Sequence, residues 1–252
     1  MFSELFDFQL PALVNFVGGG GKTALILRLA GEYSSFPPVI YTTTTRIHPP
    51  PVAPGRATIA SEDLDFLRVL VNRAVRLESI RTLVVTSLST GKDLLLGVPS
   101  DFAHHLDRVL CPIILNEADG ARSISLKMPR AGEPVLMQDA EYLVPVIGLD
   151  CLAKPLGPET LFRWEMAAPR YSLKHGQLIT PELAASILLH PEGVCKDWKL
   201  GMKIIPFINK VDTEGNDALA RELAGALMHN GRFPIERIVW GSVQRARAGV
   251  LL

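Results

Sequence analysis

Val17-Gly18-Gly19-Gly20-Gly21-Lys22-Thr23 follows an apolar run, Ala12, Leu13, Val14 and Phe16, and precedes a stretch of helical character from Ala24 to Glu32. A strand that turns through consecutive glycines into Lys-Thr and a helix is the pattern of a phosphate cradle. Glycine permits positive φ and lets backbone N–H groups approach phosphate oxygens, while the helix that follows points its positive end at the same place. The amides of Gly18, Gly19, Gly20 and Gly21 are therefore expected to hold phosphate, Lys22 to reach the β and γ phosphates, and Thr23 to offer its hydroxyl to Mg²⁺. The loop is two residues shorter than usual, since the position six residues before Lys22 is Phe16 rather than glycine. Four residues without a Cβ can still curl around a phosphate. The bland alternative is a glycine turn that binds nothing.

Outward from this stretch, apolar runs predict further strands near 38–41, 82–86, 112–115, 142–147, 203–208 and 235–240. Helices are expected between them. Ser61 is placed to cap one that buries Leu64, Leu67, Val71 and Ala74; another is expected from about 99–101 to carry Phe102, Leu106 and Val109 inward; a third, about 216–229, buries Leu219, Leu223 and Leu227. Strands separated by helices predict an α/β fold with a mainly parallel sheet covered on both faces, P-loop NTPase-like, with ligands at the carboxyl ends of the strands. The expectation is one domain over residues 1–252, with a helical insertion at about 151–200.

Two further motifs sit at strand ends. Glu117-Ala118-Asp119-Gly120 places two carboxylates where Mg²⁺, or a water bound to it, could be held, because Mg²⁺ takes hard oxygen ligands and keeps several waters. Thr23, Glu117 and Asp119 are thus the expected metal-binding residues, and Gly120 could bring its N–H to a γ-phosphate. Asn209-Lys210-Val211-Asp212 has the form of a guanine-recognition element. Guanine presents N1–H and its 2-amino group as adjacent donors, which one carboxylate can accept together. Asp212 would read the base, Asn209 would tie the segment to the phosphate loop, and Lys210 would lay its stem over the ring. The bland readings are an acidic turn and a polar helix cap.

Thr42-Thr43-Thr44-Thr45-Arg46 ends the second strand, where a hydroxyl could serve Mg²⁺ and Arg46 could contact phosphate or substrate. Threonine also favours strands for its own sake. Arg122, Lys127 and Arg130 are placed to bind a second anion or simply to face water.

Composition narrows the partners. Acidic and basic residues balance at 26 each, with no basic block, which gives no footprint for nucleic acid or a membrane surface. The first ten residues carry Glu4 and Asp7 and lack the form of a signal peptide, and no apolar run is long enough to span a bilayer. Cys111, Cys151 and Cys195 are far apart and odd in number, against a disulfide framework. The expected location is the cytoplasm.

Val17 to Thr23, Thr42 to Arg46, the segment Glu117-Ala118-Asp119-Gly120-Ala121-Arg122 with Lys127, Pro129 and Glu133-Pro134-Val135, and Asn209 to Asp212 together resemble the YqeC-type accessory proteins of selenium-dependent molybdenum hydroxylases. The resemblance implies a P-loop nucleotide-binding fold and a maturation role. There is a wider similarity to metallocentre-assembly GTPases, which carry Cys or His metal ligands near the phosphate loop; this chain has none there. The expected function is binding and hydrolysis of a nucleoside triphosphate with Mg²⁺, GTP ahead of ATP, in assembling such a hydroxylase, with Lys22, Asp119 and Arg46 as the catalytic group. The expected partners are the nucleotide and a molybdenum hydroxylase or its cofactor-maturation proteins, with a homodimer left open. Two alternatives stand beside it: a kinase or nucleotidyl transferase acting on a molybdenum-cofactor precursor through Arg46, Arg122 and Lys127, and a non-catalytic nucleotide-gated binding module.

Overall fold

Successive residues of a strand face opposite sides of a sheet, so a strand apolar at every position must be covered on both. The first strand shows this directly: Ala12, Val14 and Phe16 enter one apolar cluster, Leu13 and Val17 the other. The computed structural model describes residues 1–33, 37–89 and 94–251. Its main sheet is built from β1 (Ala12–Gly18), β2 (Val39–Thr43), β3 (Arg56–Ala60), β4 (Thr82–Thr86), β5 (Ile113–Glu117), β6 (Tyr142–Gly148), β7 (Lys203–Ile204), β8 (Phe207–Asn209), β9 (Ile238–Ser242) and β10 (Arg247–Leu251). The strands lie in the order β10-β9-β8-β6-β1-β5-β2-β4-β3, with β7 also beside β6. Only β9 and β10 pair antiparallel; the other neighbours run parallel.

Helices cover both faces. On one lie α1 (Phe2–Phe6) and α2 (Lys22–Glu32), whose Phe2, Phe6, Leu25, Ile26 and Leu29 pack with Val14 and Phe16. On the other lie α3 (Leu64–Ala74), α5 (Pro181–Leu188) and α6 (Asp217–His229), which bring Leu67, Val71, Leu188, Leu223 and Leu227 to the cluster that holds Leu13 and Val17. The short α4 (Trp164–Arg170) precedes α5. Within the stretch 151–200, Ala184, Ala185 and Ile187 of α5 lie in the same apolar cluster as the buried residues of α6. Among the described residues no helix is long and apolar enough to cross a membrane.

The expected strands all form, with instructive differences. Pro206 divides the run at 203–208 into β7 and β8, since proline has no N–H for the ladder, and its carbonyl instead accepts the Val239 amide at 3.0 Å. The last expected strand begins later, at Ile238. Sequence patterning missed β3 and β10, both of them edge strands of mixed exposure. The cap of α3 is Asp63 rather than Ser61: its carboxylate accepts the amides of Asp65 and Phe66, each at 3.0 Å. The helix expected from 99–101 is only a 3₁₀ turn, Phe102–His105. Phe102 and Leu106 are buried, but Val109 is exposed. Asp107 explains it, since its carboxylate accepts the amides of Val109 and Leu110 and turns the chain away from helix.

Candidate functional site

Parallel register puts the carboxyl ends of the central strands on one edge. Phe16 of β1 lies opposite Glu117 of β5, which also lies opposite Thr43 of β2; Gly18 lies opposite Val146 of β6, and Gly148 opposite Asn209 of β8. Every motif singled out in the sequence therefore converges on this edge, as expected for a parallel sheet.

The glycine loop is held tightly. Gly18, Gly20 and Gly21 have φ of 91°, 79° and 120°, a region that side chains resist. A Cβ on Gly20 would lie 2.3 Å from the Gly148 amide nitrogen, and one on Gly19 would lie 2.1 Å from the Ile124 carbonyl oxygen. The amides of Gly18, Gly19 and Gly20 donate to Asp119 (3.1 Å), to the Val146 carbonyl (2.9 Å) and to the Ile124 carbonyl (3.1 Å). These bonds shape the loop. The amides of Gly21, Lys22 and Thr23 begin α2, where helix geometry gives the first N–H groups no intrahelical acceptor, so they form the natural anion-facing end.

Thr23 donates its hydroxyl to Glu117, at 2.9 Å from Oε2 and 3.1 Å from Oε1. The Tyr41 phenol, from β2, donates to Oε2 of the same carboxylate at 2.8 Å. Burial, then the charge of Glu117, push the Tyr41 phenol far above its usual range, which keeps it a donor. Among the described residues no three His, Cys, Asp or Glu side chains gather as a metal-binding group. The hard oxygens offered are the Thr23 hydroxyl and Glu117, a pair that fits Mg²⁺, which binds through one or two carboxylates and keeps its waters.

Asp119 has a different setting. It is fully buried, with Oδ1 3.1 Å from the Lys22 ammonium and Oδ2 3.0 Å from that of Lys127. Lys22 also donates to the Gly18 carbonyl at 2.6 Å. Lys127 continues the chain of charges to Glu133 at 3.1 Å and donates to the Gly120 carbonyl at 2.5 Å. Arg163 then closes on Glu133 with two bonds of 2.7 and 3.1 Å. Burial would raise the Glu133 carboxyl, but the hydrogen bonds and charges of Arg163 and Lys127 outweigh it and hold the group down to about 2. Burial lowers the Lys127 ammonium below the usual lysine range, against the pull of Asp119 and Glu133. With ammonium groups against both its oxygens, Asp119 is placed to position Lys22, not to coordinate a metal.

On the other flank, Asn209 donates to the Gly20 carbonyl at 2.8 Å and accepts the Val243 amide at 3.3 Å, so it joins the glycine loop to the end of β9. Asp212 is exposed and accepts the Ser242 hydroxyl at 2.7 Å. A carboxylate has about four lone-pair sites, so this bond leaves acceptors for a pair of donors. Lys210, at φ 64°, reaches Ser125 (3.0 Å) and Asp150 (3.1 Å).

Beside the end of the glycine loop opens a cleft of about 880 Å³, lined among others by Gly21, Lys22, Thr23, Glu117 and Gly120 and by Arg46, Arg122, Arg130, Phe162 and Arg163. Asn209, Lys210 and Asp212 do not line it. The threonine run divides: Thr42 and Thr43 are buried and donate to the carbonyls of Val85 (2.8 Å) and Glu117 (2.7 Å), while Thr44 and Thr45 line the cleft. Lys127 is buried behind the cleft, out of reach of the second anion proposed for it from sequence. Sequence patterning missed Tyr41, Phe162, Arg163 and Ser242, and it singled out Glu133 without giving it a role. Ser242 carried a signal in hindsight, since it is polar and ends an apolar strand; Phe162 and Arg163 carried none, lying in the irregular 151–200 stretch.

The YqeC protein family model matches residues 14–165, more than half of the chain. The uncharacterized protein YqeC of Escherichia coli (strain K12) is 27% identical over 236 residues, covering 93% of this chain and 88% of that one. No solved structure matches.

Proposed function

The chain belongs to the YqeC family, and from that premise we propose that it binds GTP with Mg²⁺ and hydrolyses it in the maturation of a selenium-dependent molybdenum hydroxylase. The observation that carries the nucleotide part is the Thr23–Glu117 pair. It sets a hydroxyl and a carboxylate side by side at the N-terminus of the helix that follows the glycine loop. The phosphates would lie at the start of α2, facing the amides of Gly21, Lys22 and Thr23. Mg²⁺, held by Thr23 and Glu117, would supply charge neutralisation to the phosphate oxygens. Lys22 would move from the Gly18 carbonyl onto phosphate, with Asp119 keeping its ammonium aimed. Arg46 is exposed on the rim of the same cleft, beside the phosphate end of the nucleotide.

Guanine is favoured over adenine by the Asp212 carboxylate, which Ser242 anchors while acceptors remain. The maturation role rests on family membership alone. The deciding experiment is calorimetry of GTP and ATP, each with Mg²⁺, followed by phosphate release at single turnover. Tighter GTP binding with Mg²⁺-dependent release is expected. Failure of both nucleotides to bind would overturn the proposal, and tighter ATP binding would remove the base-reading role of Asp212.

A further inference from the structure

The chain as a whole carries balanced charge, 26 acids against 26 bases, but the cleft does not. Among the described residues its lining includes Lys22, Arg46, Arg122, Arg130 and Arg163, with Glu117 and Glu133 as the acidic members. Lys22 and Arg163 are committed to carboxylates, and Arg130 has its Nε 2.8 Å from Glu133. Arg46 and Arg122 are not, since among the described residues neither has a carboxylate within ion-pair distance. What holds Arg122 is the Phe162 ring, 5.6 Å from its guanidinium, with Arg163 4.7 Å from the same ring. A ring orients a guanidinium without neutralising it, so the donors of Arg122 stay available for an anion.

The backbone here is also unusual. Arg122, Ser123 and Arg163 all line the cleft and all have positive φ (47°, 64° and 65°), which residues with a Cβ adopt only where their surroundings enforce it. Space points the same way. The base-reading segment, 209–212, lies outside the cleft, so of a nucleotide only the phosphate end would enter, whereas about 880 Å³ accommodates an entire small molecule.

We propose that the cleft holds a second small ligand bearing an oxyanion group, phosphate or carboxylate, bound by Arg46 and Arg122 beside the end of the glycine loop. This rests on the nucleotide proposal only for what fills the loop itself. A co-substrate so placed would lie next to the terminal phosphate, the arrangement that acceptor-dependent turnover requires.

The test is calorimetric titration of inorganic phosphate, and separately of oxalate, into the full chain loaded with Mg²⁺ and a non-hydrolysable GTP analogue. The same titrations on unloaded Lys22→Gln remove the loop's cation instead. Saturable binding of at least one probe is expected to survive in both, and to weaken about tenfold or more in Arg46→Gln and Arg122→Gln. The probe that binds tighter assigns the oxyanion. Binding that disappears on loading or in Lys22→Gln, binding within twofold of wild type in both arginine variants, or no saturable binding at all would each overturn the subsite. If the GTP analogue fails to bind while arginine-dependent probe binding persists, the nucleotide proposal falls and the subsite stands. Arg46 is exposed, so its variant remains informative even if Arg122→Gln lowers the melting temperature.

Discussion

On the β5 side of the glycine loop, Lys22, Glu117, Asp119, Lys127 and Glu133 are all buried, whereas on the β8 side Asp212 is exposed and makes one side-chain bond, to Ser242. The two flanks touch the same loop, one through Asp119 at the Gly18 amide and the other through Asn209 at the Gly20 carbonyl. They tolerate change very differently. A buried charge is bearable only while its partners are present, so the β5 flank is a closed lattice in which each ion depends on the next. An exposed carboxylate keeps its water when a partner is lost, so a change at Asp212 costs the fold little.

The largest effect should come from breaking the lattice. Asp119→Ala strands the ammonium groups of Lys22 and Lys127 in the interior, a loss of about 3–5 kcal/mol, or a fall in melting temperature on the order of 10 °C for a chain this size. Asp212→Ala should move the melting point by about 1–2 °C at most. Equal shifts in the two variants would end the contrast between the flanks.

The next test sharpens the exposed flank. In Asp212→Asn an oxygen remains for guanine N1–H, but the amide NH₂ meets the 2-amino group donor against donor; xanthine carries a carbonyl there and fits. Each mispaired group costs about 1–3 kcal/mol, so preference should swing from GTP to xanthosine triphosphate by roughly ten- to several-hundredfold, with stability unchanged. Competition binding at fixed Mg²⁺ measures it; a variant that still prefers GTP would show that Asp212 does not read the base.

A smaller effect is expected where the lattice meets the loop. Thr23→Val keeps the shape and removes the hydroxyl that donates to Glu117. Nucleotide affinity in Mg²⁺ should fall about tenfold, while affinity in EDTA should stay near wild type. An equal loss under both conditions would assign Thr23 to phosphate alone.

A further effect on the lattice is expected in acid. Glu133 is held down to about 2 from an ordinary value of 4.5, so its contribution to stability is present above about pH 4.5 and is lost as pH falls through that window towards 2. Denaturant midpoints for Glu133→Gln should lie below wild type at neutral pH and converge on it over that range. Parallel curves for the two proteins would mean that Glu133 is not ion-paired in solution.

Much of this arrangement can be followed in the sequence itself. Apolar runs announced the buried parallel strands because a strand covered on both faces can hold little else, and the motifs at their ends converged because parallel strands share one carboxyl edge. The edge strands β3 and β10 were silent for the opposite reason: half-exposed positions impose no pattern. The partners of Glu117 and Glu133 were hidden by distance along the chain, 76 residues from Tyr41 to Glu117 and 30 from Glu133 to Arg163.

By itself the sequence determined the α/β class, the glycine loop leading into α2, and the presence of Glu117, Asp119, Asn209 and Asp212 at strand ends, because each depends on local propensity and spacing. Only the tertiary structure decided the setting of each carboxylate. Glu117 faces hydroxyls and the cleft, while Asp119, two residues on, is sealed between two lysines. That difference arises from which neighbouring segments pack against each side chain and exclude water from it, and burial of that kind is a property of the assembled fold rather than of any stretch of chain.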